Sequence, residues 1–133
     1  MSRAKVLIVD DEWEFASALA ERLTLRDYEA KAVYCAEDAI TAARSEPLDV
    51  VLLDLKIPGM SGFELLGIIK QFNPDIEVII LTGQMTDNVK PEITAEVFEF
   101  IIKPVEINEL TVKIDNAMKK RSVNLSKKLQ KEQ

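Results

Sequence analysis

The sequence predicts a single α/β domain built on a parallel β-sheet. Three short runs, VLIV, VVLL and VIIL, are continuously apolar and rich in Val and Ile, as expected for strands that helices cover on both faces. Stretches with helical periodicity lie between them, and the runs over residues 29–34 and 98–102 supply two further strands. A strand followed by a helix, repeated five times, predicts right-handed crossovers between parallel strands.

Each predicted helix carries apolar residues at intervals of three or four, which place them on one face. The first stripe is Phe15, Leu19 and Leu23, with Ala16 and Ala20 beside it. A turn at Pro58, Gly59 and Gly62 leads into the third helix, where Ser61 is suited to be the N-cap. The other stripes are Ala36, Ala39, Ile40 and Ala43; Phe63, Leu66 and Ile69; and Ile107, Leu110, Ile114 and Ala117.

The length of 133 residues and the hydrophobic content of 47% are sufficient for one domain with one core. We place this domain at residues 1–120 and a basic C-terminal tail or truncated linker at 121–133. No signal peptide or membrane-length apolar run is present, and a lone cysteine, Cys35, cannot form an internal disulfide. These features favour the reducing cytoplasm. The absence of histidine excludes histidine-based triads and metal sites.

Charge is distributed unevenly along the chain. Residues 1–118 have a formal net charge of −11, whereas residues 119–133 have a net charge of +5. An acidic body does not suit the phosphate backbone of a nucleic acid, so we expect no direct nucleic-acid binding. The basic tail contains neither Pro nor Gly, and we interpret it as a fraying helix extension or a linker rather than a nucleic-acid-binding arm.

Polar residues stand where the predicted strands end. Asp10 and Asp11 follow the first strand, Asp54 follows the third, Thr82 ends the fourth and Lys103 follows the fifth. The carboxyl ends of parallel strands meet at one edge of the sheet, where ligands bind in open α/β folds. The sequence therefore predicts one polar cluster formed by these five side chains.

The composition of this cluster predicts phosphoryl-transfer chemistry. Three neighbouring carboxylates repel one another, and a hard divalent cation such as Mg²⁺ relieves that repulsion while binding a phosphoryl group. An Asp carboxylate is then a suitable nucleophile. Lys103 supplies a positive charge for a phosphoryl oxygen, and Thr82 supplies a hydroxyl donor.

The motifs VLIVDDE, VVLLDLKIPGMSGFELL, VIILTG and FIIKP, in this order, resemble the receiver domain of bacterial two-component response regulators. The resemblance covers about residues 4–120. It implies a flavodoxin-like (βα)₅ three-layer sandwich with a central parallel five-stranded sheet in the order 2-1-3-4-5. The family also implies a sensor histidine kinase or phosphotransfer protein as the phosphoryl donor, an effector domain or partner protein as the output, and a homodimer as a further candidate assembly.

The resemblance assigns roles to individual positions. Asp54 would be the phosphoacceptor, in a Mg²⁺-dependent reaction, and Lys56 and Gln84 would tune dephosphorylation. The Mg²⁺ ligands would be Asp10 (through a water), Asp11, Asp54 and the backbone carbonyl of Lys56. The residues that contact the phosphoryl group or switch on activation would be Thr82, Lys103 and Phe100. The Lys103–Pro104 bond is commonly cis in this family. Catalysis would be limited to self-phosphorylation and self-dephosphorylation.

Two alternatives stay open. A Mg²⁺-dependent phosphatase of the haloacid-dehalogenase type also uses a strand-end Asp, but its Asp-x-Asp motif is absent because Lys56 follows Asp54 at that spacing. The second alternative is a receiver that binds a partner without phosphorylation.

The segment 84–96 departs from the family, because Pro91 falls within a helix that receivers usually carry there.

Overall fold

The computed structural model describes residues 3–83 and 96–132. Within them, five strands form one parallel sheet: β1 (Lys5–Val9), β2 (Glu29–Val33), β3 (Val50–Asp54), β6 (Glu77–Thr82) and β7 (Glu99–Ile102). Their order is β2-β1-β3-β6-β7, which is 2-1-3-4-5 when only the strands of this sheet are numbered. The predicted strand order is therefore confirmed.

The three central strands are the most apolar, as the continuous runs predicted. β1, β3 and β6 are buried almost throughout, whereas the edge strands β2 and β7 keep partly exposed positions. A strand flanked on both sides and covered on both faces has no solvent-facing position, so alternation is lost.

In the described residues, four helices cover the two faces of this sheet. They are α1 (Trp13–Thr24), α2 (Ala36–Ser45), α3 (Gly62–Phe72) and α4 (Ile107–Glu132). α4 continues without a break across the predicted boundary at residue 120, so the C-terminal segment continues the helix through Glu132. The boundary between a receiver domain and a tail stays a prediction.

The core consists of two layers, one on each face of the sheet. Leu7, Leu53 and Ile80 point toward α2 and α3, together with the buried alanines of α2. Ile8, Leu52 and their neighbours point toward α1 and α4. Successive residues of a strand point to opposite faces, so one continuous apolar run fills both layers. The helix–sheet–helix arrangement confirms the predicted three-layer fold.

A short antiparallel hairpin, β4 (Lys56–Ile57) and β5 (Met60–Ser61), lies between β3 and α3. Gly59 in its turn has a φ of 100°, a conformation that costs glycine little. Ser61 caps α3, because its hydroxyl accepts a hydrogen bond from the backbone N–H of Glu64 at 3.2 Å. The predicted N-cap is confirmed, and the hairpin brings the start of α3 close to the carboxyl end of β3.

Candidate functional site

The carboxyl edge of the sheet gathers side chains from four strand ends. Asp10 directly follows β1, Asp54 is the last residue of β3, Thr82 is the last of β6, and Lys103 directly follows β7. All the strands are parallel and in register, so their carboxyl ends open onto the same cleft. The predicted convergence of these polar residues is what the structure shows.

Lys103 connects the carboxylates of this cluster. Its Nζ lies 2.7 Å from Oδ2 of Asp10, 3.4 Å from Oε1 of Glu12 and 3.5 Å from Oδ2 of Asp54. Asp10 is fully buried and Asp54 is 7% exposed. A carboxylate this deeply buried needs a compensating charge, and a single ammonium group supplies it to both aspartates.

Each of the two buried carboxylates has one oxygen held by the backbone. Oδ1 of Asp10 accepts a hydrogen bond from the N–H of Glu12 at 2.9 Å, and Oδ1 of Asp54 accepts one from the N–H of Lys56 at 3.1 Å. In both residues the second oxygen, Oδ2, faces Lys103. The carboxylates are thus oriented, with one oxygen of each directed at the same cation.

The charges in this cluster shift two pKa values. Burial raises the pKa of the Asp54 carboxyl above its usual 3.8; the hydrogen bond from Lys56 opposes this, and the charge of Asp10 adds to it. Burial disfavours the charged form of Lys103, but the hydrogen bond to Asp10 and the surrounding carboxylates outweigh it. The pKa of Lys103 therefore lies above its usual 10.5.

The raised pKa of Asp54 makes the stability of the fold depend on pH. The folded state binds this proton more tightly than the unfolded chain, so the group favours folding below its usual pKa of 3.8 and loses that contribution as the pH rises through the raised value. At pH 7 without divalent cations, Asp54→Asn should have a higher free energy of unfolding than the wild type. Denaturant titrations should show this gain shrinking toward about pH 3; the same gain at both pH values would contradict it.

The cleft above these residues has a volume of about 520 Å³ and lies at the carboxyl edge. Carboxylate oxygens of Asp10, Glu12 and Asp54 lie within 4.8 Å of one another, which suits a hard cation. Asp11 is exposed and lines the cleft without belonging to that group of three. The lining residues are Asp11, Glu12, Asp54, Leu55, Lys56, Thr82, Gly83 and Lys103.

Comparison with known proteins establishes the family. A sequence model described as the response regulator receiver domain matches residues 6–115. This chain belongs to the response regulator receiver family. Receivers accept a phosphoryl group and interact with histidine kinases or phosphotransfer proteins, and the family uses Mg²⁺ at its acidic pocket. The match favours a receiver over the haloacid-dehalogenase alternative.

Individual relatives agree with this assignment. The receiver is 32% identical to the regulatory protein LuxO of Vibrio cholerae over 117 residues, which are 86% of this chain and 26% of LuxO. It is 36% identical to a cyclic di-GMP phosphodiesterase of Thermotoga maritima, covering 87% of this chain and 31% of that protein. A receiver domain from Clostridium thermocellum matches with a TM-score of 0.79 and 31% identity, covering 90% of this chain and 98% of that one. The chain thus spans about a quarter to a third of those two curated relatives.

The other residues predicted to belong to the site are placed as follows. Thr82 is 7% exposed, lines the cleft, and its carbonyl accepts a hydrogen bond from the N–H of Lys103 at 2.8 Å. Phe100 lies on β7 beside Ile80 and packs, half-buried, against the core on the α2–α3 face. Lys56 is exposed and lines the cleft. Gln84 and Pro91 lie outside the described residues. The Lys103–Pro104 bond is cis, as the resemblance implied.

Two residues of the receiver's site, Glu12 and Phe15, received no functional role from the sequence, and Gly62 was predicted only as part of the turn before the third helix. Glu12 is the third carboxylate near Lys103. Phe15 lies under Lys103, with Nζ 4.6 Å from the ring centroid, whereas its spacing suggested only core packing. Gly62 lies so close to β3 that a Cβ there would be 2.9 Å from the carbonyl oxygen of Asp54. Contacts made across the fold leave no local signal in the sequence.

No helix in the two described segments is long and apolar enough to span a membrane.

Proposed function

We propose that Asp54 is the phosphoacceptor of this receiver and that its Oδ2 is the attacking atom. The geometry around Lys103 carries the proposal. The backbone N–H of Lys56 holds Oδ1 of Asp54, while Oδ2 faces Lys103. A nucleophile with one oxygen fixed and the other directed toward a cation is oriented for attack on a phosphorus atom placed in the cleft.

The reaction transfers a phosphoryl group between two side chains. The bond from phosphorus to the imidazole nitrogen of a donor phosphohistidine breaks, and a bond from phosphorus to Oδ2 of Asp54 forms. The electron pair of the broken bond stays with the imidazole. In the second half of the cycle, the oxygen of water attacks phosphorus and the bond from phosphorus to Oδ2 of Asp54 breaks. Its electron pair stays with the regenerated carboxylate, and the water supplies the added oxygen and protons of the released inorganic phosphate. Catalysis by this chain would then be confined to its own phosphorylation and dephosphorylation.

Lys103 and Thr82 are suited to stabilise the transferred group. Lys103 already lies between two carboxylates, so its ammonium group can follow negative charge that develops on the phosphoryl oxygens. Thr82 ends the neighbouring strand and lines the same cleft, which suits its hydroxyl to contact a phosphoryl group on Asp54. Phosphorylation would shift both residues, and Phe100 on β7 is the adjacent side chain that responds in the proposed switch.

The acidic group fits a magnesium ion. Its donors are hard oxygens that lie close together in a cleft open to water. Asp10, Asp11, Asp54 and the carbonyl of Lys56 would hold the ion, and Glu12 is close enough to join them. When bound, Mg²⁺ supplies positive charge that offsets the negative charge of the phosphoryl group.

Phosphorylation of Asp54 is tested by intact-protein mass spectrometry. With Mg²⁺ and acetyl phosphate, or with a cognate kinase, the wild type should gain one phosphoryl group that hydroxylamine removes. Asp54→Asn should show no such gain, because the nucleophilic carboxylate is replaced by a neutral amide. Asp38→Asn, an exposed Asp of α2, is the control and should behave as wild type. Equal phosphorylation of the Asp54 variant would overturn the assignment. Absence of phosphorylation in the wild type would instead indicate a receiver that acts by binding alone.

Binding of Mg²⁺ is followed through the fluorescence of Trp13, which starts α1 next to Glu12 and is 62% exposed. A titration with MgCl₂ should show weak saturable binding, because most of the ligands are waters. Asp11→Ala should weaken it at least about tenfold if Asp11 is a direct ligand, since a lost charged ligand costs roughly that much. Glu37→Ala, on the exposed surface of α2, serves as the control. An unchanged curve for Asp11→Ala with a weakened curve for Glu12→Ala would assign the ligand to Glu12.

A further inference from the structure

The C-terminal part of α4 carries the basic segment that the proposed function leaves unexplained. Three of its cations pair with acidic residues of the domain body. Nζ of Lys120 lies 3.6 Å from Glu77, a guanidinium nitrogen of Arg121 lies 3.3 Å from Asp49, and Nζ of Lys128 lies 2.5 Å from Asp75. We call these three ion pairs the amino-edge seam.

The acidic partners of the seam lie at the amino edge of the sheet, opposite the phosphorylation cleft. Asp49 directly precedes β3, Glu77 is the first residue of β6, and Asp75 lies just before β6. α4 begins soon after Lys103 at the carboxyl edge, so it runs antiparallel to the strands and reaches the amino edge near Lys120. The seam therefore forms where the helix passes the end of the sheet.

The pairs differ in how much of their charge is shielded from water. Glu77 is 4% exposed, so its carboxylate depends on a nearby cation such as Lys120. Asp49 also accepts a hydrogen bond from the N–H of Lys5 at 2.8 Å, which orients it toward Arg121. The Asp75–Lys128 pair is more exposed and lies farthest along the helix.

We propose that the amino-edge seam holds residues 120–128 of α4 against the acidic body and fixes the direction in which the helix leaves the domain. The basic segment is then the intramolecular partner of the acidic body. Asp49 directly precedes β3, which ends at Asp54, and Glu77 begins β6, which ends at Thr82, so the seam contacts the same strands as the phosphorylation cleft.

The strength of the amino-edge seam should depend on ionic strength, because ion pairs that are partly exposed are screened by salt. The helix past the sheet has few apolar contacts to compensate, since Val123 and Leu129 are 52% and 62% exposed. Releasing the pairs should therefore loosen residues 122–129 while the core remains folded.

Hydrogen exchange of the full chain tests this with two double variants of equal charge. Arg121→Gln with Lys128→Gln removes two pairs of the seam and keeps Lys120 on the buried Glu77. Lys119→Gln with Lys127→Gln removes the same charge from exposed positions of the same helix and is the control. Gln has nearly the helix propensity of Lys and Arg, so the intrinsic tendency of the helix is preserved.

In low salt, amides of residues 122–129 should exchange about three to ten times faster in the seam variant than in the wild type, as expected from losing two partly exposed pairs. The control should resemble wild type, and amides of β1 and β3 should be unaffected in both. Adding salt should speed exchange in the wild type toward the rate of the seam variant. Arg121→Lys with Lys128→Arg, which keeps both charges, should restore most of the protection.

Equal exchange in the seam variant and the control would overturn the proposal, as would a wild-type exchange rate that does not respond to salt. Either result would show that the helix extension is held by its own propensity or not held at all. The outcome is independent of whether Asp54 is the phosphoacceptor.

Discussion

Replacing Lys103 by Met should lower the free energy of unfolding at neutral pH by about 3 kcal/mol in the absence of divalent cations, because it breaks a buried ion pair and leaves the carboxylates without their cation. Asp10 is fully buried and Asp54 nearly so, and Nζ of Lys103 lies 2.7 Å and 3.5 Å from them. Urea denaturation at pH 7 in EDTA measures this loss. The stabilisation from Lys103 is lost in the wild type only as the pH rises through its pKa, which lies above 10.5.

Lys56→Met is the matched control for Lys103, since Lys56 lines the same cleft but has an exposed side chain. Its effect should stay within about 0.5 kcal/mol of wild type. Addition of Mg²⁺ should recover part of the stability lost in Lys103→Met, because the ion supplies positive charge to the same carboxylates. A Lys103 variant as stable as the Lys56 variant would show that the buried carboxylates are not held by this lysine.

Replacing Gly62 by Ala should destabilise the fold by about 2–3 kcal/mol and slow phosphorylation of Asp54. A Cβ at this position would lie 2.7 Å from the Cα of Leu55 and 2.9 Å from the carbonyl oxygen of Asp54. Both contacts are with backbone atoms, so the clash can be relieved only by moving β3 or the start of α3. Either movement displaces the carboxylate that is proposed to attack phosphorus.

Gly67→Ala provides a control in the same helix. A Cβ at Gly67 would meet nothing within 4 Å, so this change should stabilise the protein by about 0.5–1 kcal/mol through the higher helix propensity of Ala. The two Gly→Ala changes in α3 should therefore have opposite signs in thermal or denaturant unfolding. A neutral or stabilising Gly62→Ala would mean that α3 does not approach β3 this closely.

The buried strands and the positions of the polar residues at their ends were predictable from the sequence. Continuous apolar runs identify buried parallel strands, and a polar residue at the end of such a run must emerge at the carboxyl edge, as Asp54 and Thr82 do. The order of the sheet and the cis Lys103–Pro104 bond came from the resemblance to receivers. The hairpin of β4 and β5 was predicted only as a turn, because strands of two residues have no periodicity to detect.

The details that the sequence did not give depend on where the chain turns after a strand. Once β1 ends, alternation no longer tells which of Asp11 and Glu12 faces Lys103, and the structure places Glu12 there. Phe15 has the spacing of a core residue and also contacts Lys103. Arg121 and Asp49 are far apart in the chain, so their pairing emerges only when α4 packs along the sheet. Which carboxylates ligate a metal stays a prediction.

The strand order has a consequence for how the protein behaves at high concentration. β2 and β7 are the two edge strands of the sheet, and the unpaired backbone groups of an open edge can pair with strands from other molecules. β2 carries exposed Glu29 and Lys31, and β7 carries Glu99, which is paired with Lys113. A strand that stacked on either edge would have to desolvate these charges. The segments most prone to form amyloid, VLIV, VVLL and VIIL, are enclosed in the centre, so aggregation should require global unfolding and should not start from the native state.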